Sequence, residues 1–349
     1  MNSTTVTNLL ETTGLERNEH KIIEHEVCLL EAVNLALANA MKNDERVVLL
    51  GEDIGTNGGV FRATEGLQST FGSARVMDTP LAETTIAGAA VGMAVAGLKP
   101  IAEIQFMGFI FATLEHVICH AARMRNRTRG RLTCPLVIRA PFGGGIHAPE
   151  HHSESLEALF AHVPGLRVVI PSSPARAYGL LLAAIESPDP VIFLEPKRLY
   201  RAEKSMLIDD GKALPLDTCF TLKEGSDLTL ISWGACIKEC LSVAEKLQDD
   251  VSIELIDLVT VKPIDFSTIA ASVKKTGRCV IVHEAAKTCG IGAEIAAYIA
   301  EHLMPACKSP VKRLTGFDTV MPYFRNEQHY MISELDIADA ITVTMKSDF

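Results

Sequence analysis

From about residue 26 onward, the chain alternates between short runs of β-branched and apolar residues and longer stretches with helical periodicity. The short runs predict strands at 47–50, 101–105, 136–139, 168–170 and 191–194. The longer stretches predict helices at 31–42, 84–98, 112–125, 156–161 and 175–186. Strands interleaved with helices indicate a parallel sheet that is covered by helices on both faces.

The second half of the chain repeats this alternation. Further strands are predicted at 228–232, 253–258 and 280–283, and further helices at 238–248, 266–275 and 293–303. The pattern therefore predicts an α/β protein with two doubly wound parallel-sheet domains. The predicted division is a mobile leader at 1–25, a first domain at 26–205, a linker at 206–221 and a second domain at 222–349.

Charge argues against a nucleic-acid-binding protein. The 349 residues include 33 Lys and Arg against 43 Asp and Glu, which gives a formal net charge of −10. Such a chain does not hold a polyanion by overall charge. The alternating arginines between 123 and 131 are therefore expected at a helix end, paired with acidic neighbours.

Cysteine usage and hydropathy predict a cytoplasmic protein with no membrane segment. The nine cysteines are an odd number and are scattered along the chain, which fits a reducing compartment better than a disulfide framework. The longest uncharged apolar stretch, 85–98, is too short to span a bilayer.

Two glutamates are candidate site residues, and the first stands just after a predicted strand, where an open parallel sheet holds its ligands. Glu52 follows the first strand directly, and either a solvated turn or an acid–base or metal-binding role fits its position. Glu83 begins a helix rich in glycine and alanine. A carboxylate there is either a first-turn acid favoured by the helix dipole or a catalytic group.

A glycine-rich segment precedes three histidines. Gly143, Gly144 and Gly145 follow a predicted strand, and His147, His151 and His152 come shortly after. A histidine between such a loop and a helix start is a candidate proton carrier near neutral pH, and a run of surface histidines is the alternative. No thiolate or suitably spaced carboxylate completes a zinc site.

Other ligand motifs are weak or missing. Gly290 and Gly292 lack the third glycine of a dinucleotide fingerprint. No segment of the sequence has the pattern of a complete phosphate or magnesium site.

Eight segments, in order along the chain, resemble one family. They are LLGEDIG (49–55), GGVFRATEGL (58–67), DTPLAE (78–83), EIQFMGF (103–109), HSESLEALFAHVPGL (152–166), VVIPSSP (168–174), DPVIFLEPKRLYR (189–201) and KKTGRCVIVHEA (274–285). Together they resemble the β subunit of the decarboxylase component of 2-oxo acid dehydrogenase complexes, a thiamine diphosphate-dependent, transketolase-like family.

This resemblance implies a fold and a set of partners. The fold is a transketolase-like pyrimidine domain followed by a transketolase C-terminal-like domain. Two α and two β chains form a tetramer, which alone is active, with thiamine diphosphate at each α/β interface. The α subunit supplies the diphosphate and Mg²⁺ ligands, and the assembly docks a dihydrolipoyl acyltransferase core. No nucleic acid or membrane partner is expected.

The resemblance also implies residue roles. Glu83 matches the glutamate that hydrogen-bonds the aminopyrimidine ring nitrogen and favours the imino tautomer. Phe109 matches an aromatic position against the pyrimidine ring, and Glu52 matches an acid in the cofactor pocket. His152 matches the histidine that handles protons during acyl transfer to lipoamide.

A K⁺ site formed mainly by main-chain oxygens is implied as well. Ser187 stands where relatives carry aspartate, and Asp189 stands where they carry asparagine. The matching positions are Leu136, Val137, Ala184, Ile185, Ser187 and Asp189.

The implied activity is oxidative decarboxylation of a 2-oxo acid. EPKRLYR and TGRCVIVHEA favour branched-chain substrates, whereas FGGGIHAPE and GVFRATEGL also occur in pyruvate-type relatives. A pyruvate dehydrogenase β subunit is therefore the first alternative. A non-catalytic subunit that only docks the acyltransferase is the second, and the joint presence of Glu83, Phe109 and His152 argues against it.

Overall fold

Two largely parallel sheets and a two-stranded antiparallel ribbon form the framework of the chain. The computed structural model describes residues 24–349. Its strands are β1 (Glu24–Val27), β2 (Val47–Gly51), β3 (Val76–Asp78), β4 (Lys99–Glu103), β5 (Val137–Phe142), β6 (Arg167–Val169), β7 (Val191–Pro196), β8 (Ser205–Ile208), β9 (Phe220–Lys223), β10 (Leu228–Ser232), β11 (Ile253–Asp257), β12 (Thr260–Lys262), β13 (Cys279–Ala286) and β14 (Lys312–Gly316).

The α-helices fall mainly between these strands. They are α1 (Leu29–Asn43), α2 (Leu67–Phe71), α3 (Glu83–Val95), α4 (Met124–Arg127), α5 (Glu157–Ala161), α6 (Pro174–Glu186), α7 (Cys236–Lys246), α8 (Phe266–Thr276), α9 (Ile291–His302), α10 (Phe324–Tyr330) and α11 (Glu334–Lys346). Short 3₁₀ helices occur at Met107–Thr113, Ala121–Arg123, Glu150–His152, Lys197–Leu199 and Met304–Ala306, and a π-helix at Glu115–His120. None of the helices over residues 24–349 is long and apolar enough to cross a membrane.

The first sheet has seven strands in the order β12-β6-β7-β5-β4-β2-β3, and all its pairs except β12–β6 are parallel. Successive side chains point to opposite faces. Leu49 and Val137 pack in a core with α1 and α6, whereas Leu50 and Ile138 pack in a second core with α3. Because both faces are buried, these strands are largely apolar in sequence.

The second sheet has five strands in the order β14-β13-β10-β11-β9, with β9 antiparallel to β11. Leu228 and Leu230 pack with α7 and α11 on one face. Ile231 lies on the other face, in the core that also contains Leu50 of the first sheet. The two sheets therefore share a hydrophobic core, and β12 from the second half of the chain completes an edge of the first sheet.

The predicted two-sheet α/β fold is confirmed, and the edge strands β9 and β12 add antiparallel pairs that the pattern did not predict. The predicted leader lies outside the described residues except for Glu24 and His25, which belong to β1. β1 pairs with β8, which crosses the predicted boundary at 205/206, and β9 begins inside the predicted linker at Phe220.

One predicted helix, 112–125, is instead a succession of 3₁₀, π, 3₁₀ and α turns. Tertiary contact with α3 provides a physical reason. A Cβ atom added at Gly88 of α3 would lie 3.0 Å from Cε1 of His116, so the segment approaches α3 as closely as a glycine permits. Short π-helical turns of this kind often occur near functional sites.

Candidate functional site

The carboxyl edge of the first sheet gathers four of the predicted residues. Glu52 follows β2, Glu83 follows β3, Phe109 follows β4, and His152 follows β5. These strands are consecutive neighbours in the order β5-β4-β2-β3. Since ligands of open parallel sheets bind beyond the carboxyl ends of the strands, all four residues lie where a ligand is expected.

Glu52 and Glu83 form an acidic pair at this edge. Glu83 is half-buried and is the first residue of α3, whereas Glu52 is buried. Burial raises the pKa of Glu52, and the negative charge of Glu83 raises it further, while the backbone N–H of Ala82 lowers it. Oε1 of Glu52 is buried without a hydrogen-bond partner among the described residues. It is thus available to a ligand.

Phe109 lies on the 3₁₀ helix next to the start of α3. The hydroxyl of Thr84 donates a hydrogen bond to the carbonyl oxygen of Ala112 at 2.8 Å, which joins α3 to this helix. The half-buried Phe109 ring lies 5.4 Å from the His152 ring, centroid to centroid. In the strand order β5-β4-β2-β3, Phe109 follows β4. It therefore comes between His152, which follows β5, and the acidic pair, which follows β2 and β3.

His152 has the surroundings of a neutral base. Its ring packs edge-on against Phe106, with centroids 4.3 Å apart. Its Nδ1 atom is buried and has no hydrogen-bond partner among the described residues. Burial lowers the pKa of His152, and the positive charges of His151 and Lys197 lower it further. A histidine that is neutral at pH 7 can accept a proton.

The two neighbouring histidines have different surroundings. The ring of His151 lies 5.2 Å from Phe109 and 6.5 Å from His152, so the two adjacent histidines are not hydrogen-bonded through their rings. The side chain of His147 is 70% exposed, and its Nδ1 lies 2.7 Å from a carboxylate oxygen of Glu327. His147 is therefore paired with the second half of the chain.

A buried ionic network beneath the site was missed by the sequence analysis. Arg139 on β5 contacts Glu103 on β4 at 2.8 Å and Glu195 on β7 at 2.6 Å. Tyr200 donates to the second oxygen of Glu195 at 2.6 Å. The network ties three neighbouring strands together near their carboxyl ends. The signal was present for Arg139 and Glu195, because each interrupts an otherwise apolar strand.

The two stretches predicted to bind K⁺ are brought together. The backbone N–H of Cys134 donates to the carbonyl of Pro188 at 3.1 Å, and that of Val191 donates to the carbonyl of Leu136 at 2.9 Å. Val137 begins β5 in the same stretch. Ala184 and Ile185 lie in the last turn of α6, where the carbonyl of Ala184 accepts a hydrogen bond from the backbone N–H of Ser187 at 3.2 Å.

The side chains around this pair of stretches are already bonded. The hydroxyl of Ser187 donates to the main-chain carbonyl of Asp189 at 2.8 Å. The Asp189 carboxylate pairs with Arg125 at 2.8 Å, which agrees with the expectation that this arginine has an acidic neighbour. Main-chain carbonyl oxygens, each with a second lone pair, are thus the groups suited to a cation here. Across residues 24–349, no three His, Cys, Asp or Glu side chains are grouped to hold a metal ion.

Comparisons with known proteins agree with this architecture. Residues 26–203 match the family "Transketolase, pyrimidine binding domain", and residues 218–337 match "Transketolase, C-terminal domain". The chain is 49% identical over 322 residues to the pyruvate dehydrogenase E1 component subunit beta of Acholeplasma laidlawii, which covers 92% of this chain and 98% of that protein. The protein of the same description from Staphylococcus epidermidis is 45% identical, covering 92% of this chain and 99% of that protein.

A solved structure supports the fold alone. It is described as a split gene transketolase, an inactive β4 tetramer, and superposes with a TM-score of 0.71 at 21% identity, covering 93% of this chain and 100% of that chain.

The matched domains and the acid-lined sheet edge define a transketolase-like protein of the thiamine diphosphate-dependent class. Within that class, the chain belongs to the β-subunit family of the E1 component of 2-oxo acid dehydrogenase complexes, which are oxidoreductases. Family membership implies thiamine diphosphate as cofactor and an α subunit as partner in a heterotetramer.

Proposed function

We propose that this chain acts with an α subunit to decarboxylate a 2-oxo acid oxidatively and to pass the acyl group to the lipoyl group of a dihydrolipoyl acyltransferase. The observation that carries the proposal is the alignment of Glu52, Glu83, Phe109 and His152 along one edge of the first sheet. Docking alone gives no reason for two acids, an aromatic ring and a neutral histidine at that edge.

The residues at this edge fit the pyrimidine end of thiamine diphosphate. When bound, the cofactor supplies the carbon that attacks the 2-oxo acid and the electron sink for loss of CO₂. The Glu83 carboxylate would hydrogen-bond a nitrogen of the pyrimidine ring, and Phe109 would contact the ring face. Glu52 has a buried oxygen that finds no partner within residues 24–349, which fits a polar edge of the same ring.

His152 would move the proton during acyl transfer. Its Nδ1, which has no hydrogen-bond partner in the described part of the chain, is the acceptor atom, and its lowered pKa leaves it unprotonated at neutral pH. Because acyl transfer to a dithiolane ends with a proton on the second sulfur, a base that takes a proton and returns it suits this step.

We propose pyruvate as the substrate. The relatives from Acholeplasma and Staphylococcus are pyruvate dehydrogenase subunits, and they match nearly the whole chain. The preference for branched-chain substrates that EPKRLYR suggested has no support from these relatives. We further propose that Mg²⁺ is held by the α subunit and that K⁺ binds the carbonyl groups near Leu136 and Asp189.

The test is CO₂ release with thiamine diphosphate and Mg²⁺ from the chain alone and from the chain co-expressed with an α subunit of its organism. Pyruvate and 3-methyl-2-oxobutanoate are offered in parallel. We expect activity only in the co-expressed tetramer and a preference for pyruvate. Activity of the chain alone would contradict the proposal that the active site needs residues of the α subunit. An assembled but inactive tetramer would favour a non-catalytic subunit that only docks the acyltransferase. Faster turnover of 3-methyl-2-oxobutanoate would restore the branched-chain assignment.

A further inference from the structure

A lysine with almost no access to solvent lies directly behind His152. Lys197 follows β7, begins a short 3₁₀ helix and is only 4% exposed. Lysines are rarely buried to this degree unless their charge is paired. Its Nζ donates a hydrogen bond to the main-chain carbonyl of His152. The same Nζ lies 5.6 Å from the centroid of Phe106, the ring against which His152 packs.

The segment that carries His152 is also held by two buried carboxylates, those of Glu284 and Glu327. Residues 143–152 are called the glycine segment here. Glu284 of β13 accepts a hydrogen bond from the backbone N–H of Gly144 at 2.5 Å. Glu327 of α10 accepts from the backbone N–H groups of Gly145 at 2.7 Å and His147 at 3.0 Å. Gly145 has φ near +84°, a conformation that other residues rarely adopt.

Three carboxylates act on the buried ammonium group of Lys197. Burial lowers the pKa of Lys197 to about 8, while the carboxylates of Glu284, Glu327 and Glu154 favour its charged form. Lys197 is thus the cation that faces the acids holding the glycine segment. Removing its charge would take a buried cation away from Glu284 and Glu327 in a largely buried region, which is costly.

We propose that Lys197 is a positioning residue for His152. Its ammonium group fixes the main-chain carbonyl of His152, while Glu284 and Glu327 fix the preceding part of the glycine segment. The inference rests on the proposed role of His152 in acyl transfer. It predicts that loss of Lys197 impairs acyl transfer far more than decarboxylation, because Glu52 and Glu83 follow other strands and have no contact with Lys197 in the structure.

The test is Lys197→Met in the tetramer formed with the α subunit. One assay follows decarboxylation with an artificial electron acceptor, and the other follows acyl transfer to a lipoylated acyltransferase domain. We expect acyl transfer to fall by about tenfold or more, since small misplacements of catalytic groups cost factors of this size. Decarboxylation should stay within about threefold.

The matched control is Lys223→Met. Lys223 is half-buried, and its Nζ likewise donates to a main-chain carbonyl, that of Ala244, at 2.6 Å. The Lys223→Met variant should keep both decarboxylation and acyl transfer at the wild-type level. If Lys197→Met fails to assemble, Glu327→Gln decides, because the amide can accept only one of the two backbone hydrogen bonds of the glycine segment. It should show the same selective loss.

A double variant tests whether Lys197 acts through His152. Lys197→Met combined with His152→Ala should transfer acyl groups no more slowly than His152→Ala alone. Additive losses, equal losses in both assays, or normal acyl transfer in Lys197→Met would each overturn the inference. If His152→Ala alone transfers acyl groups normally, the proposed role of His152 fails, and the inference fails with it for that distinct reason.

Discussion

The carboxylates of Glu52 and Glu83 lie close enough at the sheet edge for the charge of Glu83 to raise the pKa of Glu52. One acid is buried, and the other is half-buried at the first turn of α3. Different environments push neighbouring carboxyl groups toward different protonation states, which allows one to donate and the other to accept a hydrogen bond. Under the proposed function, this relationship would give Glu83 a chemical role beyond that of a first-turn helix acid.

Glu83→Gln should assemble with the α subunit and lose most decarboxylation activity. The amide keeps the size of the side chain but cannot act as a hydrogen-bonding carboxylate toward the pyrimidine ring. We expect a loss of roughly 100-fold or more, the range for a missing acid–base group. CO₂ release under saturating cofactor measures it.

Glu334→Gln is the matched control for this prediction. Glu334 is also the first residue of a helix, α11, and it pairs with Lys246 at the surface. The change removes a first-turn charge without touching the sheet edge, so turnover should be normal. Near wild-type turnover in Glu83→Gln would instead mean that Glu83 only stabilises the first turn of α3 through the helix dipole.

The buried acid Glu157 should make the stability of the protein depend on pH. Burial, with a smaller contribution from the negative charge of Glu284, raises the pKa of Glu157 to about 7, although a backbone hydrogen bond and a hydrogen bond from Trp233 act to lower it. An acid with a raised folded-state pKa binds more protons when folded, so stability falls as pH rises from about 4.5 to about 7. Glu157→Gln removes this pH-dependent contribution to stability, because the amide does not titrate.

Thermal unfolding of the tetramer at pH 5 and pH 8 measures this effect. The Tm of Glu157→Gln relative to wild type should be higher at pH 8 than at pH 5 by roughly 5 °C. Groups other than Glu157 titrate in both proteins and cancel in the comparison. A Tm difference that does not change with pH would show that Glu157 is ionised in the folded protein.

The sequence predicted the position of Glu52 because it directly follows the buried strand β2, and strand ends determine where ligands bind. It singled out Glu83 as the start of a helix and did not predict β3, the short strand before it. It could not predict the partners of Lys197. Those partners are a carbonyl after β5 and carboxylates on β13 and α10, which only tertiary packing brings together. The prediction of a regular helix at 112–125 was wrong for a similar reason. The close contact between His116 and Gly88 is a tertiary contact, which the local pattern of apolar residues does not indicate.

Arg139→Met should strongly destabilise the protein. The change leaves the carboxylates of Glu103 and Glu195 buried without their cation. Breaking a buried ion pair on one side costs about 3–5 kcal/mol. Arg139→Met should therefore lower the Tm, and adding Glu103→Gln and Glu195→Gln to it should restore a large part of this decrease in Tm. No recovery in the triple variant would mean that the packing of the Arg139 side chain, rather than its charge, stabilises the sheet.

Potassium should stabilise the protein if the carbonyl groups near Leu136 and Asp189 bind it. A ligand that binds only the folded state raises stability by about 2.7 kcal/mol at 100 times its Kd. We expect the Tm in KCl to exceed that in choline chloride at equal ionic strength. Ser187→Ala, which frees the Asp189 carbonyl from its hydroxyl donor, should alter this difference. Equal Tm values in the two salts would rule out the site.

His152→Ala should leave the tetramer intact and impair the overall reaction with the lipoylated acyltransferase more than CO₂ release to an artificial acceptor. The loss should be about 100-fold, since His152 is the proton carrier in the proposed transfer. Because burial lowers the pKa of His152, the acid limb of wild-type acyl transfer should lie below the ordinary histidine value of about 6.5. His162→Ala, at the end of α5, is the control and should retain both activities. Normal flux through the complex in His152→Ala, with saturating acyltransferase, would remove His152 from the mechanism.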